Sequence, residues 1–139
     1  MDKLRIVLDT NAILSSFSYR SRYRHIIDAL LNGMYEIYVT TEMLLEYEEK
    51  INDFFAPSTA QLFLDALNLL PNVHKIELYY KFLLIKNDAD DDKFADCAIG
   101  AGVHFLVTDD KHFNTLIKLG FPKVNLIKIE DFSNFLKKT

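Results

Sequence analysis

Seven aspartates in this chain stand where their carboxylates could be brought together. Asp9 closes the apolar run Leu4-Arg5-Ile6-Val7-Leu8, and Asp109 and Asp110 close His104-Phe105-Leu106-Val107-Thr108. Asp88, Asp90, Asp91 and Asp92 fall within five residues ahead of a helical pattern. If the two runs are strands of an open α/β sheet, these acids sit outside its carboxyl ends, where such sheets bind ligands. Carboxylates gathered there repel one another unless a positive charge lies between them. Oxygen-only donors suit Mg²⁺ or Mn²⁺ and give no reason to expect zinc. The chemistry within reach of that set is activation of a water by a bound divalent cation.

Each acid also has other readings. Asp9 in Asp9-Thr10-Asn11 could be a metal ligand, a phosphoryl-accepting nucleophile or a helix cap. A dehalogenase-type phosphotransferase needs a second Asp two residues on, and Asn11 stands there. Asp88, Asp90 and Asp92 give the D-x-D-x-D opening of a calcium loop. Such a loop needs Gly at its sixth position and Glu at its twelfth, where this chain has Lys93 and Ile99. An EF-hand is therefore excluded. A solvated acidic helix N-terminus would also suit the helix dipole.

Helical geometry ranks the cluster. At about 100° per residue, Phe94, Cys97, Ala98 and Ala101 form one apolar stripe. Asp91 falls beside it, while Asp92 and Asp96 point to the far side. Asp91 is thus expected to face Asp9, with Asp92 as its alternate and Asp88 and Asp90 as cap or solvent residues. Cys97 on the stripe reads as a buried hydrophobe. Of Asp109 and Asp110, one is expected to cap a helix near Lys111 and the other to turn inward. His112 reads as a surface residue. Glu42, Glu46 and Glu49 all lie off the apolar face formed by Met43, Leu44, Tyr47, Ile51 and Phe54, so the helical wheel singles out none of them.

A basic-aromatic segment, Tyr19-Arg20-Ser21-Arg22-Tyr23-Arg24-His25, lies in a stretch without acids between Asp9 and Asp28. Arg20, Arg22 and Arg24 could contact phosphates while the tyrosines stack on bases. A solvated loop and first helical turn is the plainer reading.

The elements that must position these groups alternate. Strands are expected at 4–8, Glu36 to Val39, Val73 to Ile76, Phe105 to Thr108 and Val124 to Lys128. Helices are expected over Tyr23 to Asn32, from a cap at Thr40 or Thr41 to about Phe54, and from a capping box at Ser58-Thr59-Ala60-Gln61 to Pro71. Three more run from about Asp91 to Ala101, Lys111 to Leu119 and Glu130 to Lys137, with Gly33, Gly102 and Gly120 as stops. Leu78 to Lys86 is ambiguous. This alternation predicts an α/β fold: a mainly parallel, Rossmann-like sheet with helices on both faces.

The 139 residues, half of them hydrophobic, suit one domain over the whole chain, 1–139. A net charge of −4 argues against a generic polyanion binder. No signal peptide is read, and no apolar run approaches the roughly 20 residues of a membrane span. A single cysteine fits a reducing cytoplasm.

The motifs in this order resemble the PIN-domain ribonucleases, in particular the toxins of bacterial and archaeal toxin–antitoxin systems. The resemblance is carried by Val7-Leu8-Asp9-Thr10-Asn11-Ala12-Ile13-Leu14-Ser15 and by Leu45-Glu46-Tyr47 within Thr40 to Tyr47. It continues in Asp88-Ala89-Asp90-Asp91-Asp92-Lys93-Phe94 and Phe105-Leu106-Val107-Thr108-Asp109-Asp110-Lys111. It implies a site of Asp9, Glu46, Asp91 and Asp110 holding one or two Mg²⁺ or Mn²⁺ ions, with Asn11 and Thr108 as supporting polar residues. Glu46 rests on the resemblance alone. Two departures stand out: Asp109 where a small or basic residue is usual, and His112 where many relatives have Asp. Asp109 could therefore exchange roles with Asp110.

The implied activity is metal-dependent hydrolysis of RNA phosphodiester bonds, which would inhibit translation. The implied partner is a small antitoxin bound near the acidic pocket. Tyr79, Tyr80 and Phe82 could serve a homodimer, the antitoxin or the core. Alternatives are a non-catalytic PIN-like module that binds RNA or protein, and a small-molecule phosphatase. The latter is weakened by Asn11 and by the lack of a phosphate-cradling glycine loop.

Overall fold

Arg5–Leu8 forms β1, whose Ile6, Val7 and Leu8 are all fully buried, as a strand covered on both faces requires. The computed structural model describes residues 3–78, 89–118 and 124–138, excepting the side chains of 89–92 and 115–118. Around β1 lie β2 (Glu36–Val39), β3 (Val73–Lys75), β4 (Phe105–Val107) and β5 (Leu126–Ile127), in the order β3-β2-β1-β4-β5. Every pairing is parallel. The chain winds from β1 outward to β3, then returns across the sheet to β4 and β5. With right-handed crossovers, that reversal places helices on both faces. It also makes the gap between the ends of β1 and β4 the topological switch point.

Among the described residues, six α-helices complete the layers: α1 (Thr10–Phe17), α2 (Arg24–Leu31), α3 (Thr41–Phe54), α4 (Pro57–Leu69), α5 (Ala89–Ala101) and α6 (Ile129–Lys137). Gly33 and Gly102 take φ of 72° and 62°, ending α2 and α5 in a left-handed turn that a Cβ would strain. Tyr35 packs edge-on to Phe132 at 5.1 Å and donates its hydroxyl to the Ile26 carbonyl at 2.7 Å, tying α2, β2 and α6 together.

Several expectations need correction. Helix α1 has no counterpart in the sequence reading; it is short, and polar Thr10 and Ser16 are buried beside Ala12 and Ile13, so its buried face carries little apolar pattern. Helix α4 opens at Pro57 after Ala56, not at the Ser58 capping box, because proline's fixed φ and missing N–H suit the first helical position. Lys111–Lys118 is a 3-10 helix, and the fifth strand contracts to two residues. Phe54 is 70% exposed despite its place on the apolar face of α3, since the helix ends there. The ambiguous segment falls almost wholly in 79–88, outside the described residues, as do Tyr79, Tyr80 and Phe82.

Candidate active site

Asp9 follows β1 directly, and its extended backbone (φ −62°, ψ 153°) turns the chain into α1. Its side chain is almost fully buried, and Oδ2 accepts the Thr108 hydroxyl at 2.7 Å. The Asp110 amide donates to the same Thr108 oxygen at 3.0 Å. One hydroxyl therefore couples the ends of β1 and β4. Burial pushes the Asp9 carboxyl up to about 6. The Thr108 hydroxyl and the Thr10 amide oppose that rise, while the charges of Asp110 and Glu46 add to it.

Glu46 arrives from α3. The fully buried Tyr47 donates its hydroxyl to the Leu8 carbonyl at 2.5 Å, which fixes α3 against the end of β1. Burial holds that phenol well above the usual range. Glu46 Oε2 accepts the Thr10 hydroxyl, and Oε1 pairs with Lys93 Nζ from α5 at 2.6 Å. Glu42 and Glu49 on the same helix are exposed. The structure thus separates three glutamates that the helical wheel could not.

Asp109 and Asp110 also part company. Asp109 Oδ1 accepts the Ile129 amide at 2.9 Å, so it secures the first turn of α6. Asp110 Oδ1 accepts the His112 amide at 2.9 Å, opening the 3-10 helix, and the same residue faces Asp9 electrostatically. The expected division of one cap and one inward acid gives way to a different one. Asp110 both caps and faces the site, while Asp109 turns to another helix. His112 is half-exposed, with Nδ1 3.4 Å from Asp110.

Asp91 and Asp92 lie in the first turns of α5, and their side chains are outside the described residues, as is Asp88. Asn11 is exposed at the start of α1. Asp96, expected on the far side of α5, is buried and lines a cavity beside the site. The error arose because the wheel had no account of the elements packed outside the apolar stripe. Cys97 is buried as expected, and burial pushes its thiol up to about 12.

The basic segment sits beyond the far end of α1, roughly 12 Å along the helix from Asp9. Arg22 pairs with Glu130 at 3.0 Å and lies over Tyr23. Arg24 pairs with Asp28, bonds the Phe17 carbonyl and lies over Tyr19. Arg20 is exposed. Thr10, Tyr47 and Lys93 were not singled out by sequence reasoning. Thr10 and Tyr47 adjoin candidate acids and Lys93 follows the aspartate run, yet no spacing rule marks them.

Among the described residues, no group of three His, Cys, Asp or Glu side chains is arranged to hold a metal ion. The donor chemistry is nevertheless that of a hard cation: a buried carboxylate at a strand end, with two further carboxylates adding to its field.

A parallel sheet with a buried acid at its switch point, joined by acids from two further elements, defines an acidic-site α/β domain. Residues 5–112 match the model of the PIN domain, and the chain belongs to the PIN-domain family, whose fold is of nuclease type. VapBC2 from Rickettsia felis, solved bound to a DNA fragment from its promoter, is similar at TM-score 0.59 and 19% identity. The match covers 90% of this chain and 98% of that one. DNA-bound VapBC from Salmonella typhimurium gives TM-score 0.56 and 14% identity over 91% and 98%. The RRP44 PIN domain of T. brucei gives 0.53 and 10% over 98% and 82%. At these identities the likeness is one of fold. A search of curated proteins found no match.

Proposed function

We propose that this PIN domain is a metal-dependent endoribonuclease, the toxin of a toxin–antitoxin pair, acting on cytoplasmic RNA and inhibiting translation. The observation that carries this reading is the buried Asp9, linked to Asp110 through Thr108 and approached by Glu46. Asp9, Glu46, Asp91 and Asp110 would hold Mg²⁺ or Mn²⁺, with Asp92 and Asp109 as alternates. Asp109 Oδ1 already accepts the Ile129 amide at the start of α6. When bound, the cation would activate a water for attack on the scissile phosphate and offset charge on the leaving oxygen.

The chain's own residues do the rest. Thr108 fixes one oxygen of Asp9, and burial keeps that carboxyl protonated below a pH of about 6 when no cation is present. Tyr47 holds α3 so that Glu46 cannot drift from the end of β1. Of the three arginines read as RNA-binding, Arg20 is the most available, since Arg22 and Arg24 have partners within the chain.

A partner protein is supported by the VapBC likeness and by an apolar groove of about 550 Å³ between the end of α1, α2 and α4, which leaves Leu62 70% exposed. A non-catalytic binding module is the second reading, favoured by the engagement of Glu46 with Lys93. The two readings part in one assay of single-stranded RNA with Mn²⁺ or with chelator. Cleavage that requires Mn²⁺ supports the nuclease. RNA bound equally in both conditions and never cut supports the module.

A further inference from the structure

Both oxygens of Glu46 are engaged: Oε2 by the Thr10 hydroxyl, Oε1 by Lys93 Nζ at 2.6 Å. The two charged side chains are 17% and 14% exposed, so this is not a loose surface pair whose energy salt and side-chain entropy cancel. Lys93 reaches Glu46 with its ammonium 5.6 Å from the centroid of the buried Phe94 ring. It thereby brings a positive charge from α5 to a carboxylate on α3 that interacts electrostatically with Asp9.

We propose that Lys93 is a positioning residue that keeps the place of the divalent cation. Its ammonium neutralises and orients Glu46 in the cation-free protein, and it must leave Oε1 before a cation can bind there. The inference rests on the reading of Glu46 as a cation ligand. A cation arriving at Glu46 competes with a desolvated, charge-assisted contact, and repulsion between the ammonium and the cation disfavours both at Oε1 together. Lys93 also lines a neighbouring cavity of about 320 Å³ together with the acidic residues Glu42, Glu77 and Asp96, so negative charge adjoins the ammonium on that side as well.

The test is calorimetric titration of the full chain with MnCl₂ alone, comparing wild type with Lys93→Met, Lys93→Gln, Lys93→Arg and Glu46→Gln. Removing the competing charge should tighten Mn²⁺ binding at least about fivefold in both neutral variants. Lys93→Arg keeps the charge and should stay within about twofold of wild type. Glu46→Gln should bind more weakly. Unchanged or weaker binding in Met and Gln variants, beside a weakened Glu46→Gln, overturns the proposal and leaves the cation site standing. Absence of Mn²⁺ binding by wild type removes the reading of the site itself.

Thermal melts supply a second readout. Cation-free Lys93→Met should melt below wild type, because Glu46 has lost its countercharge, and saturating Mn²⁺ should narrow the gap. A gap that Mn²⁺ leaves unchanged contradicts the exchange.

Discussion

Asp9 carries a cost that its neighbours do not remove. Its carboxyl, ordinarily at 3.8, stands at about 6 in the folded protein because burial outweighs the hydrogen bonds of Thr108 and Thr10. Between those values the folded chain keeps a proton that the unfolded chain has released. The resulting stability is fully present below pH 3.8 and is lost as pH rises through about 6. Without divalent cations, Asp9→Asn should flatten this part of the pH profile. At neutral pH it should gain about 2–3 kcal/mol in urea denaturation relative to wild type. An unchanged slope would show that Asp9 ionises freely. Asp9 itself was legible as a candidate because an acid directly after an apolar strand is a local pattern. Its burial was not, since that depends on Thr108, ninety-nine positions away.

At the level of elements, the ends of β1 and β4 matter most, together with the helices they feed. The strand-end rule drew attention to Asp109 and Asp110 together, yet their fates are set by which helix amide lies within reach. Asp109→Ala should remove the Ile129 contact at a cost of about 1 kcal/mol in chemical denaturation, with RNA cleavage retained. Asp110→Ala should abolish cleavage. The reverse pattern would transfer the site role to Asp109. The same scale explains what the sequence concealed. All five strands and the helices from α2 onward follow apolar periodicity and turn residues. Helix α1 is too short for its stripe to register, and Pro57 reads equally well as a stop or a start. Glu46 is chosen among its neighbours by Tyr47 reaching Leu8, a contact no helical wheel contains.

The whole molecule combines a net charge of −4 with a reading that requires it to bind RNA. Two of the three arginines that would compensate are paired within the chain, so a divalent cation supplies the positive field in this account. No helix among the described residues is long and apolar enough to cross a membrane. Parallel order and two-sided burial were readable from alternation and apolar runs, whereas the Lys93–Glu46 pairing between α5 and α3 was not. The account stands most directly on one measurement: the rate at which Asp9→Asn cuts a single-stranded RNA in Mn²⁺, beside wild type, with both shown folded by circular dichroism. The prediction is Mn²⁺-dependent cleavage by wild type and none above background by the variant. Equal rates from the two proteins would contradict it.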